Sequence, residues 1–329
     1  MEEEIVQNIN MTSDDITEML LAMNGISGLE VTSVTTRSTE DSSSIDTTHE
    51  SNVEEEDVIE EVTNAISSMV PDETPAAENV LVNNINTINS NVYISRFSQA
   101  VWAVKMSEMK VILAGVGGIG SWVGLLLSRL GLGSLSIYDG DVVDSTNLAG
   151  QFYTKEDASQ SKVTALTTAL RRFSNFYSVN TWACNFTENC NSGKVMICGF
   201  DNMAARRIFF ESWHRNLLRY QSRDSEFNPK EFLFIDGRLA AEELQVFCLR
   251  GDDAYSINKY RNEYLFLDEE AEPTLCSYKQ TSFMANMIGG IITNLFVNFV
   301  TNLCDVPLER DLPFFTSYSA DYMIFKTVN

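Results

Sequence analysis

The chain has 329 residues, room for one large domain or two, and a formal net charge of −23 that is unevenly spread: the first ninety or so residues hold about twenty acids and one arginine, Arg37. Acidity confined to one stretch argues against a nucleic-acid-binding surface, and the opening Met1-Glu2-Glu3-Glu4 is the opposite of a secretory leader. Six cysteines without a Cys-x-x-Cys pair argue against a structural zinc site of the usual spacing and against a disulfide framework, and fit a reducing, cytoplasmic setting.

Residues 1–88 predict a mostly disordered acidic tail, because a segment rich in Ser, Thr, Glu, Asp and Asn and poor in aromatics cannot bury enough to offset its ordering entropy. Two pieces of it carry helical periodicity: one follows Ser13 with Ile16, Met19, Leu20 and Met23 on one side, the other runs from Glu54 to Met69. They read as transient helices or as docking helices for a partner. The remaining residues, 89–329, read as one domain. Its lead-in, Tyr93 to Gln99, predicts a short helix start.

The stretch from Val111 to Asp139 organises that domain. Apolar β-formers run into Gly115-x-Gly117-Gly118-x-Gly120, an apolar helix pattern follows, and a second strand, Leu135 to Tyr138, ends at Asp139. This is the βαβ pattern of nucleotide binding. Gly115 permits the tight turn, Gly117 lets backbone N–H groups approach a phosphate, Gly120 lets helix and strand pack closely, and the helix offers its N-terminus to an anion. Asp139, 24 residues after Gly115, stands near the usual place of a ribose-hydroxyl acceptor.

A polar loop, Gly140 to Ser159, leads to an amphipathic helix opened by Ser161-Lys162. Val179 to Cys184 and Lys194 to Cys198 predict strands, the latter ending in Gly199-Phe200-Asp201-Asn202, where a helix begins that runs through Arg206 and Phe210. Glu231 to Ile235 predicts a strand that ends in Asp236-Gly237-Arg238, and Leu244 to Leu249 another. An acidic loop with aromatic residues spans Gly251 to Thr274, and Cys276 opens a long helix. Met284 to Leu303 is apolar enough to raise a membrane question, but four asparagines and Gly289-Gly290 favour a buried helix, so no membrane partner is expected. Phe314 to Tyr318 and Tyr322 to Lys326 read as a closing antiparallel pair. Strands alternating with helices predict an α/β, Rossmann-like fold: a mixed, mostly parallel sheet, parallel in its first half, with helices on both faces.

The loop after Asp139 separates nucleotide chemistries. It carries Asp139-Gly-Asp141, then Asn147-Leu-Ala-Gly150-Gln151, then Lys162 at the next helix and Asp201-Asn202 at a strand end. With the glycine loop, this series resembles the ThiF/MoeB/HesA family of adenylating enzymes related to ubiquitin-activating enzymes, over roughly Tyr93 to Leu303. The lead-in Ser95-Arg96-Phe-Ser-Gln99 is similar to that family's, and Asn-Leu-Ala-Gly-Gln with Cys276-Ser-Tyr-Lys-Gln280-Thr looks closest to prokaryotic and phage-encoded members.

The resemblance implies ATP with Mg²⁺ reacting with a carboxylate, usually the C-terminal glycine of a ubiquitin-like or sulfur-carrier protein, to give an acyl adenylate. It implies that Gly117 and Gly118 donate to phosphates, Asp139 holds the ribose, Asp141, Asn147 and Gln151 belong to the nucleotide site, Lys162 neutralises the departing pyrophosphate and Asp201 holds Mg²⁺. Arg96 would reach the nucleotide of a second subunit, implying a homodimer. Gly150 departs from the pattern, standing where the family usually has an arginine. Pro273-Thr-Leu-Cys276 resembles the stretch that supplies a thioester cysteine, and Lys279 with the following helix N-terminus would lower its thiol pKa. Residue by residue the plain readings stay open: Lys162 as a solvated helix residue, Asp201 as a helix cap, Cys276 as a buried thiol. Two other classes also stay open, an NAD-dependent oxidoreductase and a catalytically weakened module that binds a carrier-protein tail.

Overall fold

The structure, a computed structural model, describes residues 95–266 and 280–329. The acidic tail with its two helical pieces, Tyr93, Cys276 and Lys279 lie outside the described residues.

Eight strands form one sheet in the order β3-β2-β1-β4-β5-β6-β7-β8. They are β1 (Lys110–Ala114), β2 (Ser134–Tyr138), β3 (Val179–Trp182), β4 (Val195–Cys198), β5 (Leu233–Ala240), β6 (Glu243–Arg250), β7 (Phe315–Ser319) and β8 (Ile324–Val328). The first five in that order pair in parallel, and β5 to β8 pair antiparallel. The fold is therefore the expected mixed, mostly parallel α/β sheet.

Strand alternation assigns the two faces. Val111, Leu113, Val195, Ile197, Leu233 and Ile235 point into one core, with helices α2 (Gly118–Ser128), α3 (Lys162–Ser174) and α6 (Ser282–Asn302). Ile112, Ala114, Met196, Cys198 and Phe234 point into the other, which is mainly aromatic and is covered by α4 (Met203–Arg223) and α5 (Ala254–Lys259). A short helix, α1 (Ala103–Met106), precedes β1. Central strands buried on both faces are why β1 and β4 read as unbroken apolar runs.

Helix α6 is long and apolar enough to cross a membrane by composition, yet it packs as a core helix: Met284, Ile288, Ile292, Phe296 and Phe299 are buried in the first core. A Cβ on Gly289 would stand 3.1 Å from Trp122 Cβ, so the glycine sets how closely α6 approaches α2. Two of its four asparagines have partners, Asn298 Nδ2 donating to Asp311 O at 3.1 Å and Asn302 Nδ2 to Arg310 O at 2.8 Å, and Asn286 and Asn294 are exposed.

Among the differences from the sequence reading, four bear on the interior of the domain. The β3 strand stops at Trp182 rather than Cys184. The β5 strand does not end at Asp236 but runs through Asp236-Gly237-Arg238 to Ala240, paired with β6 along its whole length. The loop after Gly251 contains α5, capped by Asp253, whose side chain accepts from Ser256 N, and continued by a π turn, Tyr260–Tyr264. The buried apolar residues of this helix and turn are just Ile257 and Tyr260, too short a stripe to stand out from a loop. Helix α6 opens at Ser282 rather than at Cys276.

Candidate nucleotide site

Strand order reverses between β1 and β4. The chain moves from β1 out to β2 and β3 on one side and through β4 to β5 on the other. Open α/β sheets bind ligands at such a switch point, beyond the C-terminal ends of the strands. Ala114 pairs with Tyr138 and with Cys198, so the loops starting at Gly115, Asp139 and Gly199 leave the sheet at one level.

The glycine loop is fixed by contact with its neighbours. Gly115 has φ +78, and a Cβ there would stand 2.7 Å from the Gly199 carbonyl carbon. A Cβ on Gly120 would run into the Gly115 carbonyl oxygen. Gly117 differs: a Cβ would meet nothing nearer than Gln151 Nε2 at 3.7 Å, so no neighbouring atom packs into the space beside it. Gly117 caps the eleven-residue α2 without a side-chain hydrogen bond.

Asp139 ties the loops together. Its Oδ2 accepts from Val116 N and its Oδ1 from Asp141 N, both at 2.8 Å. Burial raises its pKa, and these two bonds and Lys162 only partly offset that. Lys162, first residue of α3, has a side chain just 8% exposed, and its Nζ donates to Oδ2 of Asp141, 71% exposed, at 2.8 Å. Asn147 lies in a one-turn capping box: its Oδ1 accepts from Asp144 N at 3.0 Å, which leaves the amide nitrogen as its donor end. Asp201 is exposed and accepts from Asn202 Nδ2 at 3.3 Å. The cap of α4 is the next residue, Asn202, whose Oδ1 accepts from Ala205 N at 2.8 Å. Arg96 is exposed in the turn Ser95–Phe97.

A buried ion network under Asp201 escapes the sequence reading. Asp236 is fully buried and accepts from Arg206 Nη1, from Arg238 Nε at 2.8 Å and from the Tyr260 hydroxyl at 2.8 Å. Arg206 also donates to Gly237 O and to Phe200 O, the carbonyl just before Asp201. Burial would raise the Asp236 pKa, but the Arg206 and Arg238 guanidiniums outweigh it and hold the carboxyl below its ordinary range. The Asp-Gly-Arg triplet was the available signal; reading it as a strand end hid its inward-facing aspartate.

Among the described residues, three buried side-chain polar atoms have no partner: Gln151 Oε1, Ser161 Oγ and Thr281 Oγ1. One lines this crevice and the other two are chain neighbours of residues that do. Gln151 lies against Gly117, Ser161 precedes Lys162, and Thr281 follows Gln280, whose side chain lies over Gly118 and Gly150. Native folds leave few such atoms, so their clustering fits a site shaped for a polar ligand. The same residues include no group of three or more His, Cys, Asp or Glu placed to hold a metal ion.

The ThiF family model matches residues 88–329. Among curated proteins, the chain is 32% identical over 108 residues to adenylyltransferase and sulfurtransferase MOCS3-1 of Zea mays, covering 31% of this chain and 23% of the relative. It is 27% identical over 125 residues to ubiquitin-like modifier-activating enzyme 5 of Bombyx mori, covering 36% and 32%. The chain thus spans less than a third of either relative. Among solved structures, PaaA aligns with a TM-score of 0.53 at 18% identity, covering 84% of this chain and 83% of its own. E. coli MccB with AMPCPP and MccA aligns with a TM-score of 0.53 at 16% identity, covering 70% and 66%. These two likenesses are of fold. With glycine loop, Asp139, Lys162 and Asp201 gathered at one switch point, and a family model that matches 242 of the 329 residues (88–329), this chain belongs to the ThiF family.

Proposed function

We propose that the chain is an ATP-dependent adenylyltransferase that activates the C-terminal carboxylate of a ubiquitin-like or sulfur-carrier protein. The observation that carries this reading is the meeting of the uncapped α2 N-terminus, Lys162 and Asp201 at the switch point, with the three orphaned polar atoms on or next to residues that line it. The relatives named adenylyltransferase and modifier-activating enzyme support it over an oxidoreductase, as does the buried lysine that opens α3.

In the reaction, a carboxylate oxygen attacks the α-phosphorus of ATP, the bond from that phosphorus to the α–β bridging oxygen breaks, and pyrophosphate leaves. No proton need move, so positioning and charge neutralisation carry the rate. The N–H groups at Gly117 and Gly118 hold phosphate oxygens, and Gln151 flanks them. Asp139 receives the ribose hydroxyls with lone pairs left by its two backbone bonds, Asp141 lying beside it. Asn147 donates its amide nitrogen to a phosphate. Lys162 moves from Asp141 to the departing pyrophosphate. Asp201 would hold Mg²⁺ as a hard oxygen ligand, and the ion would supply neutralisation of phosphate charge. Arg96 serves the site of a second copy in a homodimer, and the setting is cytoplasmic.

We assign Cys276, outside the described residues, as the acceptor of the activated acyl group as a thioester, with AMP leaving. Gly150 favours a second reading, a binding module that holds a carrier tail without turnover. Product analysis separates the two. The full chain with ATP, Mg²⁺ and a panel of ubiquitin-like and sulfur-carrier proteins ending in Gly-Gly should yield AMP and pyrophosphate. ADP and phosphate, or no cleavage with any carrier, would refute adenylation.

A further inference from the structure

The side chain of Gln280 crosses the glycine cradle. Its Cγ is 3.1 Å from where a Gly150 Cβ would stand. Its carboxamide then reaches Gly118, the first residue of α2, oxygen foremost: a Cβ on Gly118 would stand 1.5 Å from Oε1, a clash, and 3.1 Å from Nε2. Room for this path exists because neither Gly118 nor Gly150 has a side chain. The backbone of Gln280 is anchored by a parallel bridge to Ala241, in the turn between β5 and β6, so its side chain can leave the cradle without the backbone moving.

A carboxamide oxygen is a neutral acceptor with partial negative charge. Lying beside the first residue of a helix whose N-terminus no side chain caps, it fills space that an anion drawn to that terminus would need. The orphaned Gln151 Oε1 on the neighbouring Gly117 and the orphaned Thr281 Oγ1 show that the surrounding polar groups are incompletely satisfied in this arrangement. We propose that the Gln280 carboxamide is an internal occupant of the phosphate position, displaced when ATP binds, so that Gln280 sets the affinity for the triphosphate. This rests on the reading of the crevice as an ATP site. A fully charged phosphate wins the helix terminus over a neutral amide, but the apparent affinity is reduced by the fraction of molecules in which the amide is in place.

The test is calorimetric titration of ATP with Mg²⁺, and separately of adenosine, into the full chain and into Gln280→Ala and Gln280→Glu. Gln280→Ala should bind ATP about threefold or more tighter than the parent. Gln280→Glu, which lays a full negative charge on the same spot, should bind ATP more weakly than the parent. Adenosine, lacking phosphate, should bind all three alike. ATP affinity in Gln280→Ala equal to or weaker than the parent's would overturn the proposal, and so would a parallel change in adenosine binding, which marks a general distortion. A parent chain that ignores ATP altogether would instead refute the nucleotide reading beneath it.

Discussion

Asp236→Ala removes the one carboxylate that holds two inward-facing arginines. Asp236 is fully buried, and the side chains of Arg206 and Arg238 are 6% and 14% exposed. Deleting one partner of a buried ion pair costs about 3–5 kcal/mol, because the remaining charge keeps its desolvation penalty without its compensation. Against a typical domain stability of about 5–15 kcal/mol, that is roughly a fifth of the total or more. Urea unfolding followed by tryptophan fluorescence should show a lower midpoint at unchanged slope, with Trp213 in the adjoining aromatic core as the reporter. Adding Arg206→Leu to Asp236→Ala should recover part of the loss, since the uncompensated charge goes too. The sign with pH follows from the depressed carboxyl. Its contribution is present above the ordinary carboxylate pKa and is lost as pH falls through the lowered native value. The stability gap to Asp236→Asn should therefore persist at mildly acidic pH and close only in strong acid. A loss below about 1 kcal/mol, the scale of an exposed pair, would refute the account of this network.

Three further outcomes follow from the site and its cysteines. Burial pushes the Cys248 thiol up to about 12 and raises Cys198 as well, whereas Cys184 is exposed, so iodoacetamide at neutral pH should label Cys184 in the folded chain and spare the other two; labelling at Cys248 before unfolding would contradict the packing. Because burial raises the Asp139 pKa, adenosine binding should weaken as pH falls through a value higher than an ordinary carboxylate's, measured by titration calorimetry across pH, and this dependence should vanish in Asp139→Asn. Cys276→Ala should keep adenylate formation but lose any thiol-reducible conjugate on denaturing gels; a conjugate that persists would place the acceptor elsewhere.

Periodicity made the sheet legible. The β1 and β4 strands are continuous apolar runs because both faces are covered, and the glycine loop, Asp139 and Asp201 sit at strand ends where the chain must turn. The antiparallel pair β7 and β8 was visible from its strand-forming residues. What escaped depends on contacts between segments far apart in sequence. Asp236 looked like a strand-ending polar residue because nothing local shows that Arg206, thirty residues earlier, faces it. Helix α5 hid in an acidic loop because its apolar face is two residues long. Asp141 reads in the sequence as a nucleotide-site residue without a stated partner; in the structure its carboxylate pairs with Lys162, an interaction spanning 21 residues. Gln280 carried no signal at all: its place over Gly118 and Gly150 follows from the path into α6, not from its neighbours in sequence.

The most direct test of the adenylation claim is exchange of labelled pyrophosphate into ATP, run with the full chain, Mg²⁺ and a carrier protein ending in Gly-Gly. Adenylation predicts carrier-dependent label in ATP, lost in Asp201→Ala and reduced by about a hundredfold or more in Lys162→Ala, the scale of removing one charge-stabilising group from a reacting centre. Absence of exchange in the parent chain with every such carrier, while ATP still binds, would contradict the claim and leave a nucleotide-holding module in its place.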